Sequence, residues 1–142
     1  MVEVRELTQT DIPSIVAIQK VITKGKVSAE WSKMMEEHVG DVRRPGFVAL
    51  KGGKVVGFII GEEKGEGFGM PRSGWLDMVG VDPKMMGGGV GKAMIKRLFE
   101  VFKERGITNI YTSVKWDAVD MLSFFKAVGF DRSSFINLIY KL

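Results

Sequence analysis

Apolar and polar residues alternate in "VEVRE", residues 2–6, the period of a half-buried strand. After Thr10 or Asp11, either of which can cap a helix, the period lengthens. Ile12, Ile15, Val16 and Ile18 fall at helical spacing, with Pro13 tolerated in the first turn. Ser28 is placed to cap a second helix, "AEWSKMMEEHV", whose Trp31, Met34, Met35 and His38 recur every three to four residues. "PGFVALKGGKVVGFIIGEE" reads as two apolar strands joined by a tight Gly-Gly turn. The polar, glycine-rich "EKGEGFGMPRSG" reads as a loop, and "WLDMVGV" as a strand ending at Asp82-Pro83.

A long amphipathic helix is expected from about Gly88 to Arg105. Val90, Met94, Leu98, Val101 and Phe102 lie on one face, Lys92, Lys96, Glu100, Lys103 and Glu104 on the other, and Gly106 follows as its C-cap. "TNIYTSV" reads as a strand. "DAVDMLSFFKAVGF" reads as a short helix capped by Asp117 and closed by Gly129, and "FINLIYKL" as a final strand. The order is strand, two helices, three strands, helix, strand, helix, strand. It predicts one α/β (α+β layered) domain over residues 1–142, with a mixed, mostly antiparallel sheet of about six strands flanked by four helices.

Four of the five residues 87–91 are glycine, at the mouth of that long helix. Glycine costs roughly 0.5–1 kcal/mol relative to alanine inside a helix, so such a concentration calls for a reason. Backbone amides at a helix N-terminus lack internal partners and the helix dipole favours negative charge there; glycines let a ligand approach that backbone closely. An anion site follows, against the plainer reading of a loose turn. A Walker loop would need glycine at 86 and a hydroxyl residue at 93, where Met86 and Ala93 stand. The dinucleotide fingerprint fails at Lys92 or Met94, depending on where it is started.

Composition narrows the field. The 142 residues contain no cysteine and a single histidine, His38, which excludes disulfides, thiolate metal sites and a cysteine nucleophile; no metal is expected. No apolar run approaches the roughly 18 residues of a membrane span, and the charged N-terminus does not read as a signal peptide, so a cytoplasmic protein without a membrane partner is expected. The net charge of +4 favours an anionic partner. Basic residues are interleaved with acids, as in Lys103-Glu104-Arg105, rather than clustered, which argues against nucleic acid.

"VGVDPKMMGGGVGKAM" resembles the coenzyme A motif of the GCN5-related N-acetyltransferase (GNAT) family, with Val81, Pro83, Gly87, Gly89, Gly91 and Ala93 in register. "VEVRELTQTDIPSIVAI" is similar to that family's first strand and helix, "GKVVGFIIGE" to its third strand and "SFFKAVGF" to its closing helix. The resemblance implies the acyl-CoA N-acyltransferase fold, here with a shortened C-terminal end, and transfer of an acetyl group from acetyl-CoA to a primary amine by direct attack in a ternary complex. It implies a diphosphate held on the main chain of Gly87, Gly88, Gly89, Val90, Gly91 and Lys92, and a pantetheine arm along Val79 and Val81 in a slot between the fourth and fifth strands. Lys92 and Lys96 add positive charge nearby or simply form a solvated face. A coenzyme A-binding module with weak or no activity is the alternative.

An alkylammonium has a pKa of about 10.4, so some group must take its proton at neutral pH. Asp77, which interrupts "WLDMVGV", is the first candidate base. Strict alternation would set it on the face of Val79 and Val81, partly desolvated and with a raised pKa; otherwise it is a solvated carboxylate or a partner for an arginine such as Arg72. Glu62, Glu63 and His38 stand behind it. Three departures from the family pattern accompany the motif. Met86 replaces the usual Gln or Arg. Phe125 stands where a thiolate-protonating tyrosine is common and Ala118 where asparagine is, leaving Ser123, Tyr111 and Tyr140 as substitute hydroxyls. Only a dozen residues follow Phe130. "FINLIYKL" at a sheet edge needs a cover, which a homodimer would supply. Trp31, Met34 and Met35, with the 64–74 loop, either shape the acceptor pocket or serve as core and linker. The acceptor itself stays open among small amines, polyamines, protein N-termini and lysine side chains.

Overall fold

The alternating segments pair as strands because each buries an apolar face while its backbone groups find partners next door. In the computed structural model, which describes residues 1–65 and 69–142, five strands form one sheet in the order β1 (Glu3–Glu6), β2 (Gly46–Lys51), β3 (Lys54–Lys64), β4 (Ser73–Val81) and β5 (Ile110–Tyr111). The first four run antiparallel, and β5 joins β4 in parallel. Gly52 and Gly53 turn the β2–β3 hairpin with φ of +59° and +78°, the sign that a two-residue hairpin turn demands. The chain forms two compact units, Met1–Thr112 and Ser113–Leu142.

In the first unit, α1 (Ile12–Ile22) and α2 (Ala29–His38) bury one stripe each. Leu7, Ile12, Ile15, Ile18 and Met35 close over Val48, Leu50, Phe58 and Ile60 of the sheet. Ser28 caps α2 as expected, its hydroxyl accepting from the Trp31 amide at 3.1 Å. Asp11 stands at the N-cap of α1, as one of the two expected caps, but its side chain makes no capping bond there. Its buried carboxylate accepts from both Arg5 guanidinium nitrogens at 2.8 Å and from the Thr8 amide at 2.8 Å, tying β1 to the start of α1.

The long helix, α3, runs from Val90 to Glu104 and buries Val90, Met94, Ile95, Leu98 and Phe102. It settles onto places where the sheet lacks side chains. A Cβ added at Gly57 would lie 2.9 Å from Met94 Cε and 3.1 Å from the Gly80 carbonyl. One at Gly61 would lie 2.8 Å from Leu98, and one at Gly74 2.7 Å from Phe102. The end of α3 closes as expected: Gly106 has φ +77° and the Ile107 amide reaches back to the Phe102 carbonyl at 3.0 Å.

The expected sixth strand is absent: residues 131–142 form no strand and are exposed. Alternation supplies a face but not a partner, and a strand exists only where a neighbour takes its ladder. The same reason shortens "TNIYTSV", of which only Ile110–Tyr111 pairs. In the second unit, α4 spans Val119–Ala127 with Ala118, not Asp117, at its N-cap and Gly129 just beyond its end.

Candidate functional site

The glycine turn hangs from the end of β4. The Asp82 amide donates to the Val56 carbonyl at 2.8 Å, fixing the strand end, and the Asp82 carboxylate accepts from the Lys84 amide at 3.0 Å to cap a single 3₁₀ turn, Pro83–Met85. The chain then turns through Gly87 and Gly89, both left-handed with φ of +82° and +80°, and Gly89 is the N-cap of α3. The first helical bond runs from the Ala93 amide to the Gly89 carbonyl at 3.0 Å, so the amides of Val90, Gly91 and Lys92 have no acceptor within the helix. A Cβ on Gly87 or Gly89 would meet nothing within 4 Å. Glycine is favoured there by the backbone sign, and the space over the amides is open. Amides, dipole and clear approach together fit a phosphate group. The side chains of Met86 and Lys92 are exposed.

Behind the turn, β4 loses its outer neighbour. β5 pairs with it only at Gly74 and Trp75, and the Thr112 hydroxyl donates to the Leu76 carbonyl at 2.8 Å where the ladder stops. From Asp77 to Val81, among the described residues, no strand covers that side of β4. Val79 and Val81 are half-buried along this length. Four strand steps at about 3.3 Å each make a slot of about 13 Å, into which an extended chain bearing amides would fit as an added strand does.

Asp77 sits at the inner end of that slot, on a bulge. Met78 faces Ile60 and Leu76 faces Gly61, so Asp77 is the extra residue between consecutive pairs. The bulge corrects the expectation from strict alternation. Asp77 leaves the face of Val79 and Val81 and comes beside Glu62, which is paired across the ladder with Trp75. Although the residue keeps an exposed surface, burial of its carboxyl raises its pKa first, and the Glu62 charge and hydrogen bond add to the rise; Lys64 and Arg44 pull the other way. Arg72 is not its partner: that guanidinium binds Glu63 at 2.8 Å and the Arg105 carbonyl at 3.0 Å.

The other carboxylates and the histidine separate by environment. Glu63 is held between Arg72 and Arg105, the latter at 3.0 Å, with its side chain 9% exposed, an arrangement that ties it to the scaffold rather than freeing it as a base. Glu62 has Arg44 at 3.9 Å, and Arg44 also reaches Asp41 at 3.5 Å. His38 is buried at the end of α2, with no partner for Nδ1 among the described residues. Burial, then Arg44, pushes its pKa below the ordinary 6.5.

Four residues around the end of the β4–β5 pairing are brought together in a way that escapes a reading of the chain alone. Lys64 lies with Nζ 4.4 Å from the centroid of Trp75, whose other neighbour, Tyr111, is stacked at 5.3 Å, and Thr112 holds the fork. Only strand register brings these together; the sequence signal was limited to the period-two spacing of Glu62 and Lys64. Of the residues expected to shape an acceptor pocket, Trp31 lines a cavity of about 450 Å³ with Gln19, Lys26 and Ser28, while Met35 is fully buried and Met34 packs at the core margin. In the 64–74 loop, residues 66–68 lie outside the described residues. In the second unit Phe125 is buried against Phe124 and Phe130, with ring centroids 5.6 and 5.2 Å away, whereas Ser123 and Tyr140 are exposed.

Comparison with known proteins finds relatives in sequence and in fold. A mycothiol acetyltransferase of Amycolatopsis mediterranei (strain U-32) is 34% identical over 89 residues, a stretch that is 61% of this chain and 30% of that protein's length. The fold is shared with an AAC(6')-Iy structure in complex with the bisubstrate analogue CoA-S-monomethyl-acetylneamine, at TM-score 0.85 and 16% identity over 100% of this chain and 99% of that one. It is also shared with a transcriptional regulator from Bacillus halodurans C-125, at TM-score 0.84 and 20% identity over the whole of both chains. The model of the acetyltransferase (GNAT) family matches residues 12–130, from the first helix through the glycine turn to just past α4, and the chain belongs to that family.

Proposed function

We propose that the chain is an acetyl-CoA-dependent N-acetyltransferase acting on a primary amine by direct attack within a ternary complex. The observation that carries this is a left-handed glycine turn with three free amides, set at the end of a strand whose outer neighbour has parted from it. The main chain of Gly87, Gly88, Gly89, Val90, Gly91 and Lys92 would hold the diphosphate, and the edge of β4 at Val79 and Val81 the pantetheine arm. Bound there, the cofactor supplies an acetyl group activated as a thioester. Met86 offers no hydrogen-bond donor, which lowers affinity without removing the main-chain contacts.

Asp77 takes the proton of the incoming ammonium. A carboxylate with a raised pKa is a stronger base than an ordinary one, and its place at the bulge puts it at the inner end of the slot. Phe125 has no proton to offer the departing sulfur. A thiol of pKa about 8.5 loses only about 2 kcal/mol by leaving as thiolate at pH 7, so solvent protonation suffices for a slower enzyme. The test is release of free thiol from acetyl-CoA in the presence of a panel of amines, including aminoglycosides, polyamines, lysine and peptide N-termini. Release above the hydrolysis blank with one acceptor class is expected. Tight cofactor binding with no release for any of them would favour a coenzyme A-binding module, the reading that Phe125 and Ala118 suggest.

A further inference from the structure

We propose that Lys64 is a self-acetylation site, the chain transferring an acetyl group to the Nζ of its own side chain at the end of β3. The proposal rests on the acetyl-transfer reading above and adds an acceptor that the chain itself carries. Lys64 closes β3 opposite Ser73, and its ammonium lies over the Trp75 ring at 4.4 Å from the centroid. That ring is backed by Tyr111 at 5.3 Å, at the only place where β4 and β5 still pair among the described residues. Trp75 precedes Asp77 by two residues on β4 and faces Glu62 across the ladder. One end of the β3–β4 pair therefore gathers an alkylammonium, an aromatic platform, the candidate base and the inner end of the slot.

The lysine is held loosely. It is exposed, and among the described residues no carboxylate is in ion-pair contact with its Nζ, so the cation–π contact is what positions it. Its charge acts on Asp77, offsetting part of the upward push from burial and Glu62. Other lysines lack this company. Lys51 and Lys54 flank the hairpin at the far end of β3, and Lys92, Lys96 and Lys103 stand on α3. In the step, the Lys64 ammonium gives one proton to Asp77 and the freed nitrogen attacks the acetyl carbonyl carbon. A C–N bond forms as the C–S bond of the acetyl thioester breaks. The electron pair leaves with sulfur, and the second nitrogen proton passes through solvent to neutralise it. The product is a neutral amide, so the aromatic platform loses its cation and Asp77 loses a positive neighbour.

The experiment incubates the full chain with acetyl-CoA and no added amine, then follows intact mass and maps the modified peptide. One acetyl group accumulating at Lys64, ahead of the exposed Lys20, Lys54 and Lys96, is the expected result. Asp77→Asn should slow it by about 10²-fold or more, and Lys64→Arg, which keeps the cation over the ring, should abolish the adduct. Acetylation spread evenly over surface lysines, or unchanged in Asp77→Asn, would overturn the proposal by marking uncatalysed chemistry. An unmodified Lys64 in a protein that still releases thiol with an external amine would overturn it while leaving the acetyl-transfer reading intact. Failure of acetyl-CoA to bind, measured by calorimetry on the same preparation, would remove both.

Discussion

Asp77 is a carboxyl group pressed towards its neutral form by partial burial and by Glu62 beside it. Two outcomes follow at this single position. In catalysis, kcat/KM should rise with pH through the raised Asp77 pKa, and Asp77→Asn should lose about 10²–10⁴-fold and retain only a dependence on the free-amine fraction of the acceptor. A variant that keeps, on top of the free-amine dependence, the limb assigned to the Asp77 carboxyl would remove Asp77 from the reaction. In stability the sign is opposite to that of a paired carboxylate. Because the folded pKa lies above the ordinary 3.8, ionising Asp77 weighs against folding at neutral pH, so Asp77→Asn should leave the urea midpoint unchanged or higher. The linear order of residues suggests that this acid is partly desolvated, but not the charge that stands beside it. "WLDMVGV" shows an acid in an apolar strand, but the neighbour that shifts it comes from β3 through a bulge, and alternation alone assigns the wrong face.

At the scale of elements, the glycine turn and α3 act as one unit, and the reasons for its glycines divide cleanly. Gly89 is needed for its left-handed φ in open space, whereas Gly74 is needed because Phe102 occupies its side-chain position. Gly89→Val should therefore cost about 1–3 kcal/mol of backbone strain, keep the far-UV circular dichroism spectrum, and lose cofactor binding by calorimetry. Gly74→Ala makes the opposite kind of change, forcing a Cβ against a core ring at 2.7 Å and destabilising by about 1–3 kcal/mol, as read from urea unfolding. Local signals carried this element well: the 3.6-residue period, the glycine run and Gly106 mark α3 and its turn from the sequence alone. The elements that were missed or shortened are those that depend on a partner elsewhere in the chain. "FINLIYKL" and "TNIYTSV" alternate as strands do, yet only Ile110 and Tyr111 find a neighbour.

Across the molecule, resistance to acid depends on the Arg5–Asp11 pair that joins β1 to α1. The Arg5 hydrogen bonds hold Asp11 below its ordinary 3.8 against the opposing effect of burial, with Thr8 adding to the hold. This contribution is fully present above about pH 3.8 and is lost as pH falls through the lower folded value. Asp11→Asn should cost about 1.5–3 kcal/mol at neutral pH and flatten the acid side of the stability curve measured by urea titration. A curve that stays parallel to that of the parent chain would assign acid lability elsewhere. The missing side chains beneath α3 have a consequence for the glycine turn that the helix carries. Because Met94, Val90, Leu98 and Phe102 rest on bare backbone, the helix lies closer to the sheet than any side chain there would allow. A methyl added at Gly57 would press on Met94 and Val90 and lift the start of α3, so a residue outside the turn governs where its free amides stand.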